Sequence, residues 1–113
     1  MIIKASSFLF GLLIMMHANA ETISTNIHQE MFYKDARKVL INDGWKPLSN
    51  LKISRSSLYA QELYEQGMPE VVDCISMELD GCSFRYKKNN KTLEVRTITR
   101  DLKIEKVKII KNR

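Results

Sequence analysis

The sequence predicts an α+β fold, with two N-terminal helices packed on a three- to four-stranded antiparallel meander and one disulfide. Three observations carry this. Before Pro69, apolar residues recur at helical spacing. After Pro69 the period drops to two, as in half-buried strands. The only two cysteines, Cys74 and Cys82, have seven residues between them in a chain whose start points to export.

Residues 1–20 read as a secretory signal peptide. Lys4 precedes an apolar run, Phe8 to Met16, and Ala18-Asn19-Ala20 forms a small-x-small cleavage signal before Glu21. The run is nine residues long, whereas a membrane-spanning helix needs about 20. Cleavage after Ala20 leaves residues 21–113 as a single small domain, periplasmic or secreted. A domain of this size buries roughly 60–65% of its unfolded surface, so a covalent staple matters to it. An even cysteine count in an exported chain reads as a disulfide. In the chain-entropy account, closing so short a loop stabilises by about 2.5 kcal/mol.

The first helix is expected from a cap at Thr25 or Asn26 to about Asp43. Phe32, Ala36, Val39 and Leu40 share one face, and Ile27 and Met31 flank it. Gly44 suits the left-handed residue after a helix end, and Pro47 prevents continuation. Trp45 is expected to fold over the core. Residues 48–56 read as connective. Ser56 or Ser57 caps a second helix over about 58–66, with Leu58, Tyr59 and Leu63 inward and Gly67 ending it.

The strands follow. Val71–Met77 is the first. Asp80-Gly81 is a turn. Cys82, Phe84 and Tyr86 form one face of the second strand, with Ser83, Arg85 and Lys87 opposite. After Asn89-Asn90, Leu93, Val95 and Thr97 oppose Glu94, Arg96 and Ile98. Leu102, Ile104, Val107 and Ile109 suggest a last strand. The phase slips between Ile104 and Val107, which predicts a bulge at Glu105-Lys106. Cys74 and Cys82 then meet on the first hairpin.

Charge divides the domain. Residues 21–80 carry six Lys/Arg against ten Asp/Glu, and residues 81–113 carry eleven against three. The basic part is compatible with an anionic partner, but the favoured reading is a solvated sheet face with lysine-protected strand edges, since a charge run alone is compositional evidence. Catalytic chemistry is sparse. His28 is the only His after residue 20 and has no neighbouring nucleophile. Asp73, Glu78 and Asp80 cluster by the disulfide as loop carboxylates. No Gly-rich phosphate loop or metal-ligand spacing occurs, so no metal, cofactor or nucleic acid is expected, and no enzyme activity.

Several segments resemble a recurring type of small exported proteobacterial protein. They are Tyr33-Lys34-Asp35-Ala36-Arg37, Leu40, Gly44-Trp45-Lys46-Pro47, Pro69-Glu70-Val71, Cys74, Cys82-Ser83-Phe84-Arg85-Tyr86 and Leu93-Glu94-Val95-Arg96-Thr97. Many members are Gly-rich between the cysteines, whereas this chain has Ile75-Ser76-Met77-Glu78-Leu79-Asp80-Gly81. The layout is also similar to half of a β-lactamase inhibitor protein, a helix pair against an antiparallel sheet. That likeness is architectural and transfers no binding residue.

The expectation is a non-catalytic exported protein-binding module, with inhibitors and immunity-type proteins in its class. Its partner would be another exported or envelope protein, met by Arg85, Lys87, Arg96 and Arg100. The alternative is a cationic envelope-surface binder, with Lys103, Lys106, Lys108 and Lys111 on lipid or lipopolysaccharide phosphates.

Overall fold

The computed structural model describes residues 26–75 and 79–112, with the backbone alone for Lys111 and Asn112. The signal peptide, the Thr25 cap, the end of the first strand at Met77, Glu78 and Arg113 lie outside the described residues. The chain runs α1 (Tyr33–Asn42), β1 (Lys46–Pro47), a 3-10 turn (Ile53–Arg55), α2 (Leu58–Glu65), β2 (Val71–Ile75), β3 (Gly81–Lys88), β4 (Lys91–Ile98) and β5 (Lys103–Asn112). Among the described residues, no helix is long and apolar enough to cross a membrane.

This corrects the expected architecture. The fold is α+β with one disulfide, but the helices do not both precede the sheet. They lie in the middle of the chain, and β1 separates them as part of a five-stranded sheet. Lys46 and Pro47 pair with Lys87 and Tyr86, and the Leu48 N–H extends the contact to the Arg85 carbonyl. A proline has no N–H for a ladder, so the sequence hides a strand this short, and its place is a sheet edge. β1 and β2 lie end to end along one edge of β3, and β4 and β5 follow on the other side, all antiparallel.

The first helix also begins later than its periodicity suggests. Phe32 is its N-cap, without a side-chain cap. Residues 30–33 are claimed by β5 instead. Glu30 N–H donates to Ile104 O, Ile104 N–H to Met31 O and Tyr33 N–H to Leu102 O, each at 2.8 Å. Strand-like pairing satisfies these backbone groups before a helix can. Ile27 and Met31 still pack on the core, from an extended approach.

Both helices end alike. Trp45 N–H donates to Leu40 O and Gly44 N–H to Ile41 O, around Gly44 at φ 96°. Met68 and Gly67 repeat this on Leu63 and Tyr64, around Gly67 at φ 101°. These paired bonds are the Schellman pattern, which needs a left-handed residue and favours glycine. Trp45 is buried as expected. Ser57 caps α2 by accepting from Ala60 N–H, and Leu58 faces solvent rather than the core.

The core lies between the helices and one sheet face. Ala36, Leu40, Tyr59 and Leu63 meet Phe84, Tyr86, Leu93, Val95 and Ile104. Cys74 and Cys82 face each other across β2 and β3 and are bonded. In β5, Lys106 pairs with Arg96 and Ile104 with Thr97, so Glu105 is the extra residue of a bulge. The β4–β5 turn holds Thr99 and Leu102 at positive φ, 65° and 56°. Thr99 N–H on Leu79 O and Tyr33 N–H on Leu102 O tie that turn at both ends.

Candidate functional site

Side chains alternate across a strand, and directly paired residues share a face. With Phe84 and Tyr86 inward, Ser83, Arg85 and Lys87 point outward. The register then places Arg96 beside Ser83 and Glu94 beside Arg85. One strand further, Lys106 lies beside Arg96, Lys108 beside Glu94 and Lys103 beside Ile98. The outer face is therefore a mixed but predominantly basic surface.

One end of this face is hollowed into a groove of about 450 Å³. Val72, Ile75, Leu79 and Ile98 give it an apolar lining, and Asp73, Arg85, Glu94, Arg96 and Glu105 its charges. Ile75 and Leu79 are 61% and 54% exposed, so their apolar surface is left on offer to a partner. The wall at β2 is fixed. Asn50 Nδ2 donates to the Val71 and Val72 carbonyls, and Ser56 Oγ donates to Val72 O. Asp73 accepts from the N–H groups of Ser57 and Cys74. Partial burial pushes its carboxyl up, but these donors and the Ser57 hydroxyl outweigh that and hold it below the usual carboxylate range.

The proposed binding residues separate here. Arg85 and Arg96 line the groove, and each has a counterion: Arg85 lies 3.4 Å from Glu94 and Arg96 4.0 Å from Glu105. Lys87 is exposed further along β3. Arg100 is elsewhere, on the β4–β5 turn. Its guanidinium stacks 4.0 Å from the Tyr59 ring centre and lies 3.7 Å from Asp80, clasping two turns together. Lys103, Lys106 and Lys108, assigned above to the lipid alternative, share the outer face with Arg85 and Arg96. The side chain of Lys111 lies outside the described residues. His28 is exposed, with its ring Nδ1 3.0 Å from Gln29 O.

A buried polar cluster escaped the sequence reading. Glu70, 0% exposed, accepts from Arg37 Nε at 2.6 Å and Nη2 at 3.2 Å. Tyr33 Oη donates to it at 2.5 Å, and Tyr86 Oη lies 3.3 Å away. The two tyrosine hydroxyls also bond each other. Burial, reinforced by the neighbouring charge of Glu70, pushes both phenols above their ordinary range, and the Glu70 bond raises Arg37 further. Four donors converge on one carboxylate, and only Arg37, 28% exposed at its side chain, reaches water. The cluster joins α1 to β2 and β3 with its hydrogen bonds made internally, which marks it as scaffold. A signal was present in the acid between Pro69 and the apolar Val71-Val72, but the helical face was expected to carry Phe32, which is exposed, whereas Tyr33 is buried in line with Ala36 and Leu40.

Among the described residues, no group of three or more His, Cys, Asp or Glu is placed to hold a metal ion. No family model, curated protein or solved structure matches the chain.

Proposed function

We propose that the chain is an exported, non-catalytic protein-binding module that holds another exported or envelope protein on the outer face of its sheet. Inhibitor and immunity-type proteins are the closest functional class. The observation that carries this is the groove, which combines exposed Ile75 and Leu79 with a charged rim. Exposed apolar surface with a polar surround is the usual composition of a protein interface. The column of Lys103, Lys106 and Lys108 supports the second reading, a surface for lipid or lipopolysaccharide phosphates. Concavity weighs against it, since a plane of headgroups does not reach the apolar lining of a groove.

The test is crosslinking of the tagged full chain, exported by its own leader, in intact envelopes. Ile75→Asp and Leu79→Asp should each abolish capture of the partner while leaving the melting temperature unchanged. Equal recovery by wild type and both variants would remove the groove as the site. Binding to anionic vesicles that fades with salt and ignores both variants would favour the phosphate reading, because screening acts over about 8–10 Å at physiological salt.

A further inference from the structure

We infer that the outer face takes an acidic, extended protein segment with one apolar anchor. The anchor seats between Ile75, Leu79 and Ile98, and carboxylates at alternate positions beyond it meet Lys106 and Lys108. This rests on the protein-binding reading and specifies the chemistry of the partner.

The argument starts from which cations already have counterions. Arg85 and Arg96 do, in Glu94 and Glu105. Three lysines of β5 do not: among the described residues, Lys103, Lys106 and Lys108 form no ion pair. Lys106 is directly paired with Arg96, a like charge. Lys108 is paired with Glu94, whose carboxylate is already engaged by Arg85. Like charges directly opposite in a sheet destabilise it. Lys106 thus stands beside a cation and has no counterion of its own among the described residues, and an arriving carboxylate would supply one.

Spacing selects an extended occupant. Lys106 and Lys108 are two residues apart on one strand, roughly 6.4–6.8 Å. Same-side residues of an extended segment repeat at that interval, so its alternate carboxylates match the lysines. Charge excludes the obvious competitor, a second copy of this chain, since its own β5 would bring lysines onto lysines. Shape disfavours a lipid surface, because an apolar anchor can enter the groove and a plane of headgroups cannot.

The experiment is an NMR titration of the oxidised full chain with three peptides. One has leucine followed by alternating glutamate and threonine. The second replaces leucine with alanine, and the third replaces each glutamate with glutamine. The first should shift resonances of Ile75, Ile98, Lys106 and Lys108. Each altered peptide should bind about tenfold more weakly, and so should the first peptide to the Lys106→Glu/Lys108→Glu variant. Lys34→Glu on α1 should change nothing. Binding that is indifferent to the leucine, to the glutamates or to the lysine variant overturns the inference. So does displacement of the peptide by phosphatidylglycerol vesicles. If no peptide binds while Ile75→Asp still abolishes partner capture in envelopes, this inference fails and the protein-binding reading stands. If Ile75→Asp also leaves capture intact, both fail.

Discussion

Replacing Glu70 with leucine should bring the protein close to unfolding, and the magnitude follows from what the carboxylate holds. It receives two guanidinium contacts from Arg37 and one hydroxyl from Tyr33, with Tyr86 at 3.3 Å. Removing one member of a buried ion pair costs about 3–5 kcal/mol, since the remaining charge is stranded. Arg37 is part-exposed and recovers some hydration, which favours about 3 kcal/mol here. The tyrosines keep each other as partners, so one hydroxyl donor is orphaned, at about 1 kcal/mol or more. The sum is about 4 kcal/mol against a typical total of about 5–15 kcal/mol. Glu70→Gln keeps the shape and one acceptor, and should cost about 2 kcal/mol. Urea unfolding at neutral pH measures both, with an unchanged slope confirming a native-state effect. Arg37→Met in the Glu70→Leu background should restore part of the loss, because it removes the stranded cation. A loss below about 1 kcal/mol for Glu70→Leu would show that the cluster is not what joins α1 to the sheet.

Two further tests concern the scaffold. Tyr33 and Tyr86 have folded-state pKa values raised above that of an unfolded tyrosine. Their contribution is therefore complete below about pH 10 and is lost as pH rises above it, by about 1.4 kcal/mol per pH unit for each phenol. Urea midpoints at about pH 9, 10 and 11 should fall accordingly, and the Tyr33→Phe/Tyr86→Phe variant should flatten the decline. Cys74→Ser should cost about 2 kcal/mol and lower Tm by about 10 °C, measured by calorimetry without reductant; an unchanged melt would remove the structural role of the bond.

The strands were the most legible part of the sequence, because period-two alternation reports directly on a sheet with one buried face. Phe84, Tyr86, Leu93 and Val95 all lie where alternation puts them. Even the Glu105 bulge was readable, since an inserted residue shifts the phase of everything after it. The helix end at Gly44 was readable for a similar reason, as the left-handed turn leaves few alternatives. What failed depended on distant partners. The segment from Ile27 to Phe32 has helical spacing, but β5 lies alongside it and takes Glu30 and Met31 into backbone pairing. Lys46-Pro47 is a strand only because β3 is there to pair with it. Arg100 resembled its neighbours in charge alone. Its place on the β4–β5 turn, against Tyr59 and Asp80, is set by residues 41 and 20 positions away in sequence.

Part of the basic outer face also has a simpler origin. Lysines on an edge strand deter unwanted pairing with other chains. Among the strands, β5 is an edge, but residues 30–33 cover it at Lys103, so protection accounts for Lys106 and Lys108. It does not account for Arg85, Lys87 and Arg96, which stand on β3 and β4, inside the sheet. Nor does it account for Ile75 and Leu79, since exposed apolar side chains invite association rather than prevent it. Edge protection and binding also differ in what Lys106→Glu should do. A protective lysine replaced by another charge still blocks pairing, so solubility and partner capture would both persist. A lysine that meets a carboxylate becomes repulsive on reversal, and capture is lost while solubility is kept. The apolar floor and the unpaired cations lie on one face in one register, and the second outcome is the one that arrangement supports.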